Sequence, residues 1–243
     1  MIDILRELTN LPWCWEWVPR TERGGEVRAA WTEHMVDLFE DWTAEGLAAA
    51  RLAWPSEEAG IEFPFTSDMV GRGAAEWLLE RADGLPSWAR LAWGVAYLDK
   101  RPRWAPIPVV VQFRRPTAED PAYLMDFVGA NGWTSDARPP VVDYVTTPIG
   151  DGLRVFALAR SADGAAFGRV DAAMRLDVPP SGGAGGVSVD VLLHGVAFEM
   201  SLMAVLGPGV EQLMQLVAAE CAPSFDGAPA SHTFATTSAE GPS

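Results

Sequence analysis

Residues 90–98 read RLAWGVAYL, a run that alternates in size but not in polarity. In an extended chain Leu91, Trp93, Val95 and Tyr97 point to one face, and Ala92, Gly94, Ala96 and Leu98 to the other. Both sets are apolar, so this strand has to be covered on both sides. The Ala92/Gly94/Ala96 face is nearly flat and lets a helix come close to the backbone. The Ala and Leu content would also suit a helix over 87–98, but Trp, Val and Tyr at alternate positions fit a pleated surface better. A basic turn with Lys100, Arg101, Pro102 and Arg103 follows. Pro106 and Pro108 then place the next strand at 109–113, because proline is tolerated before a strand or at its start but not in its middle. Arg114-Arg115-Pro116 ends it.

A two-sided central strand needs a large apolar supply, and the chain has one: 49% of its 243 residues are hydrophobic. That excludes wholesale disorder and allows one large domain or two small ones. All the tryptophans lie between Trp13 and Trp133, and the later core candidates are Val, Leu, Met and Phe. A Trp-rich helical part (1–84) and a sheet-rich part (85–221) are expected to form one α+β domain of two layers, since no linker separates them. From Ala222 onward Ser, Thr, Pro, Gly and Ala dominate, so 222–243 is expected to be a disordered tail.

Along the first part, a short helix is expected over 2–8. Trp13-Cys14-Trp15-Glu16-Trp17 alternates between prolines as a short edge strand. Val27, Trp31, His34, Met35, Leu38 and Trp42 recur at three- and four-residue spacing, which predicts a long amphipathic helix running to Trp54. Ser67 or Asp68 is placed to cap a second helix to about Ala82, with Trp77 and Leu78 inward. Residues 120–129 read as a short helix and 130–140 as loop.

From Val141 the pattern becomes an antiparallel meander. Strands are predicted over 141–147, 153–160 and 167–178, and a further strand starts at Val187. The Asp163-Gly164 pair marks a hairpin turn. Val170, Ala172, Met174, Leu176 and Val178 alternate with Arg169, Asp171, Arg175 and Asp177, the signature of a strand with one wet face. Gly195 shifts the phase. Two helix pieces broken at Gly207-Pro208 are expected under the sheet, with a bulged continuation of the strand through Leu202 as the other reading.

The net charge of −15 argues against a nucleic-acid groove or an anionic membrane surface as partner. The most apolar window, 191–207, is short and holds His194 and Glu199, so no membrane span is expected. The N-terminus has no basic region or long apolar run and does not read as a signal peptide. Cys14 and Cys221 have no partner motif. Two reduced thiols fit a cytoplasmic protein. Lysine occurs once, and the Arg, Ala, Gly and Val content reads as the codon bias of a GC-rich bacterial genome.

No motif carries a reaction. Residues 70–76 share two glycines with a dinucleotide-binding turn, but Glu76 stands where the third is needed and would repel phosphate. His34 with Asp37 and Asp41 is read as a solvated helix face rather than a metal site, and His194 as a hydrogen-bonded, half-buried residue. No GxSxG, HExxH, Cys-His pair or P-loop is present, so catalytic residues, metal and cofactor are not assigned. The leading function is a non-catalytic intracellular protein-interaction module. The other reading is a small-molecule-binding protein or hydrolase with its pocket between helices and sheet. The binding candidates are Arg169 and Arg175 on the polar face of the meander, with Arg154 and Arg160 beside them. They would receive an acidic partner segment or a small carboxylate. Trp13, Trp15 and Trp17 form the second candidate surface. Oligomeric state is not decided by the sequence.

Overall fold

A computed structural model describes residues 13–54, 62–98, 101–102, 107–179, 186–198 and 203–222. The strands are β1 (Trp13–Trp17), β2 (Ala89–Leu98), the two-residue β3 (Arg101–Pro102), β4 (Ile107–Arg114), β5 (Val141–Thr147), β6 (Gly150–Arg160), β7 (Ala166–Val178) and β8 (Val187–Ala197). The helices are α1 (Gly25–Leu52), α2 (Ser67–Asp83), the single turn α3 (Leu124–Phe127) and α4 (Met203–Cys221); a 3₁₀ turn, Pro121–Tyr123, leads into α3. The architecture is α+β, with one antiparallel sheet in the order β1-β2-β4-β8-β7-β6-β5 and β3 paired to β2. β5 to β8 form the meander. β8 then pairs with β4, and Val111 lies opposite Leu193. This pairing joins the meander to β2 and β4, and β2 lies inside the sheet between β1 and β4.

One face of the sheet carries Ala92, Val109, Val111, Val170, Ala172, Met174, Leu176, Val191 and Leu193, all buried against Val205, Leu206, Val210, Leu213, Met214 and Val217 of α4. The flat face of β2 belongs to this side, but the Trp15 indole fills it directly and α4 lies beyond. A Cβ at Gly94 would stand 2.4 Å from the Trp15 ring, so that position needs glycine. α4 is one helix, and it runs through Pro208. Proline there removes an intrahelical donor, and the next residue is tied to β1: the Trp15 Nε1–H donates to the Gly209 carbonyl at 2.9 Å.

The other face is covered in two places. Over β2, Leu91, Trp93 and Val95 pack with Met35 and Phe39 of α1 and with Ala75, Leu78 and Leu79 of α2. Over the meander, Leu124 and Val128 pack on Leu153, Val155 and Ala173. Several expectations change here. β7 is buried on both faces from Gly168 to Met174, so it has no wet face over that stretch; of Arg169, Asp171, Arg175 and Asp177 only Asp177 is exposed. The cause is the 120–140 segment, read as a short helix and loop, which folds back over it. The cap of α2 is Thr66, whose side chain accepts from the Met69 N–H. Trp77 is exposed rather than inward, with Arg81 stacked 4.1 Å from its ring. β8 ends at Ala197 and α4 is unbroken at Gly207-Pro208, so the expected break is not formed; residues 199–202, which the other reading made a bulged strand, lie outside the described residues. The expected 2–8 helix and almost all of the expected tail lie outside the described residues.

Candidate functional site

The alternation of β7 places Arg169, Asp171, Ala173 and Arg175 on the face away from α4. Arg169 is 1% exposed. Its guanidinium donates to Asp136 (Nε at 2.9 Å, Nη2 at 2.8 Å), to Asp171 (Nη1 at 2.5 Å) and to the carbonyls of Val128 and Gly129. The planar fork is matched to one carboxylate on each side, which satisfies a buried charge that would otherwise be costly. Trp133 lies over the guanidinium, 4.0 Å from its carbon to the ring centroid. The loop fits this tightly because Gly129 has φ of 64° and a Cβ there would meet the Trp133 Nε1 at 2.4 Å. Hydrogen bonding from Arg169 holds the Asp136 carboxyl below its usual range, against the opposing effect of burial.

Asp171 also meets His194, directly opposite it on β8, with its Oδ1 2.6 Å from Nδ1. That leaves Nε2 on the outer edge of a side chain that is 50% exposed. The hydrogen bond to Asp171 raises the His194 pKa; burial and the Arg169 charge act against it more weakly. The histidine therefore keeps its proton to higher pH than a free imidazole does.

Arg175 and Asp190 form a second pair four residues further along, with Nε to Oδ1 at 2.8 Å. Tyr123 closes it. Its hydroxyl donates to Asp190 and accepts from the Thr117 N–H at 2.9 Å and from Arg175 Nη2 at 2.8 Å. These bonds anchor the 115–127 segment on the sheet.

Between the two covers a strip of sheet stays open over β4 and β8. Its floor is Val110, Gln112 and Arg114 from β4 and Leu192, His194 and Val196 from β8, all at least partly exposed. Arg114 spans the strip: its guanidinium carbon is 5.5 Å from the Trp88 ring on the helical side and 5.3 Å from Phe127 on the α3 side. Trp88 and Phe127 are 46% and 49% exposed. A pocket of about 300 Å³ opens beside them, lined by Arg114, Arg115, Tyr123, Phe127, Asp190 and Leu192. Among the described residues neither Arg114 nor Arg115 has a carboxylate partner within ion-pair distance, whereas Asp190 is already neutralised by Arg175. The pocket thus offers two unpaired cations and aromatic walls, a setting for a carboxylate attached to an apolar group.

The residues nominated from sequence are distributed differently. Arg169 is a buried structural cation, and the expectation that it faces water fails because the Val128–Asp136 loop covers it. Arg175 borders the pocket but spends its donors on Asp190, Tyr123 and the Glu119 carbonyl. Arg154 lies on the α4 side, bridging Asp143 of β5 and Glu211 of α4 at 2.8 and 3.0 Å. Arg160 is exposed at the end of β6. Trp15 is core; Trp13 stacks on it with centroids 5.2 Å apart, and the Trp17 Nε1–H donates to Glu220. The three indoles thus seat α4. His34 pairs with Glu16 at 3.2 Å rather than with Asp37. The residues that sequence reading missed are Arg114 and Arg115, taken only as a strand terminator. Their signal was a pair of adjacent cations on a chain of −15.

No helix among the described residues is long and apolar enough to cross a membrane. Comparison with protein-family models, with curated proteins and with solved structures returns no match to this chain.

Proposed function

We propose that this chain is a non-catalytic, cytoplasmic binding module that captures an acidic, apolar-flanked segment of a partner protein. The observation that carries this reading is the unpaired Arg114/Arg115 couple beside the exposed Trp88 and Phe127 rings. What sets these two arginines apart is their place: both line the pocket, Arg114 lies between the Trp88 and Phe127 rings, and neither has a carboxylate within ion-pair distance among the described residues. A partner's carboxylate supplies the missing acceptor in a bidentate geometry, and the two rings exclude water around it.

The test is selection of displayed peptides on the purified protein and on an Arg114→Ser/Arg115→Ser variant whose fold is verified by circular dichroism. Enrichment of peptides with an acidic residue beside an apolar one, lost in the variant, is expected. Selected peptides that bind both proteins equally overturn the proposal. A hydrolase is the second reading, favoured by His194, whose ring nitrogen on a buried carboxylate is the arrangement of a general base. Ester turnover abolished by His194→Gln would select it.

A further inference from the structure

We infer that the open strip is read at two points, and that it takes an extended peptide with carboxylates at positions i and i+4, one on Arg114/Arg115 and the other on His194. The inference rests on the pocket reading above and adds the second contact and the spacing. It comes from the register. Arg114 lies opposite Asp190 and Val110 opposite His194, so the arginine and the histidine are four residues apart along the paired strands. At about 3.3 Å per residue, that is about 13 Å. Both face the same side, because the interval is even. An extended peptide laid along the strip has the same repeat, so its side chains at i, i+2 and i+4 meet His194, the Leu192/Gln112 floor and Arg114 in turn. The central position faces a partly apolar floor, so an uncharged side chain fits there.

The cation at the His194 end is provided by construction. Asp171 fixes the ring through Nδ1, so in the protonated state the donor left to a half-exposed side chain is Nε2–H, which has no partner among the described residues. The charged groups that act on the ring are Asp171 and, behind it, Arg169, with Asp136 beyond Arg169; the β4 neighbour is the uncharged Val110. Asp171 is held by Arg169, so it does not repel an approaching carboxylate as a free carboxylate would. The strip therefore carries two cationic points, Arg114 and protonated His194, with the uncharged Gln112 and Leu192 between them, on a chain of net charge −15.

The experiment uses fluorescein-labelled pentapeptides and fluorescence anisotropy on the full chain. The doubly acidic probe is Glu-Thr-Val-Thr-Glu, chosen because it presents the same pattern in either direction. Its companions carry Gln at one end, at the other, or at both. At pH 6 the doubly acidic probe is expected to bind at least fivefold tighter than either singly acidic one. That advantage should disappear in His194→Gln and should shrink as pH rises through the His194 titration. The proton NMR titration of His194 should move to higher pH on binding the doubly acidic probe. Equal binding of doubly and singly acidic probes, with Arg114→Ser/Arg115→Ser abolishing both, overturns this inference and leaves the pocket reading standing. No binding by any probe that carries Glu overturns both. An advantage that survives His194→Gln assigns the second contact elsewhere and also overturns the inference.

Discussion

Replacing Arg169 by Met keeps a side chain of similar length under Trp133 and removes the charge at the centre of the network. The two carboxylates it held are almost fully buried, with 3% and 5% of the Asp136 and Asp171 side chains exposed. Asp171 keeps His194 as a partner and Asp136 keeps the Trp133 N–H, but neither keeps a permanent cation. Breaking a buried pair by removing one partner costs about 3–5 kcal/mol, most of it from the charge left behind. For a chain of this size, that lowers the thermal midpoint by on the order of 10 °C. The loss depends on pH with a definite sign. In the native protein Asp136 has a depressed pKa, so its contribution is fully present above the unfolded carboxylate value and is lost as pH falls through the folded one. In the variant Asp136, left buried with only a backbone donor, binds a proton more readily than in the unfolded chain, so the variant itself loses stability as pH rises. The gap between the two proteins should therefore be wider at pH 7.5 than at pH 5. Urea melts at both pH values measure it. Adding Asp136→Asn to the variant should restore about 1–3 kcal/mol at pH 7.5, because it removes the abandoned charge. A loss below about 1 kcal/mol, or a gap that does not change with pH, would refute the assignment of Arg169 as the buried counter-ion.

Trp93→Ala should cost about 3–5 kcal/mol in the same melts. Trp93 is 2% exposed, and its Nε1 has no hydrogen-bond partner among the described residues, so the loss is one of packing against α1 and α2. A loss under about 1 kcal/mol would contradict that burial. Gly94→Ala should cost about 1–3 kcal/mol by overpacking, with a shift in tryptophan emission as Trp15 is pushed from β2. An unchanged spectrum and midpoint would mean that the ring does not rest on Gly94.

The elements themselves were legible locally. The size alternation of 90–98 demanded a strand covered on both sides, and β2 is one. The Asp163-Gly164 turn, the meander strands and the long helix before Trp54 also follow from periods of two and 3.6 that any stretch of chain displays on its own. What covers each face is not a local property. The same alternation that put Arg169 and Asp171 opposite the core predicted a wet face, and it would have been correct had the 120–140 segment gone elsewhere. That segment carries Asp136, Tyr123 and Leu124, which supply a counter-ion, a hydroxyl and an apolar contact to residues tens of positions away. An ion pair needs only its two partners within reach, so no spacing in the sequence announces it. Arg114 and Arg115 are the converse case. They end a strand as arginines commonly do, and only the gap between two separately folded covers sets them at the mouth of a pocket. Sequence thus determined most of the strands and helices and the alternation of side chains along each strand, although it set Trp77 inward and broke α4 at Gly207-Pro208. Tertiary structure alone decided which polar residues are buried with partners and which stay available to a ligand, because that depends on where distant segments come to rest on the sheet.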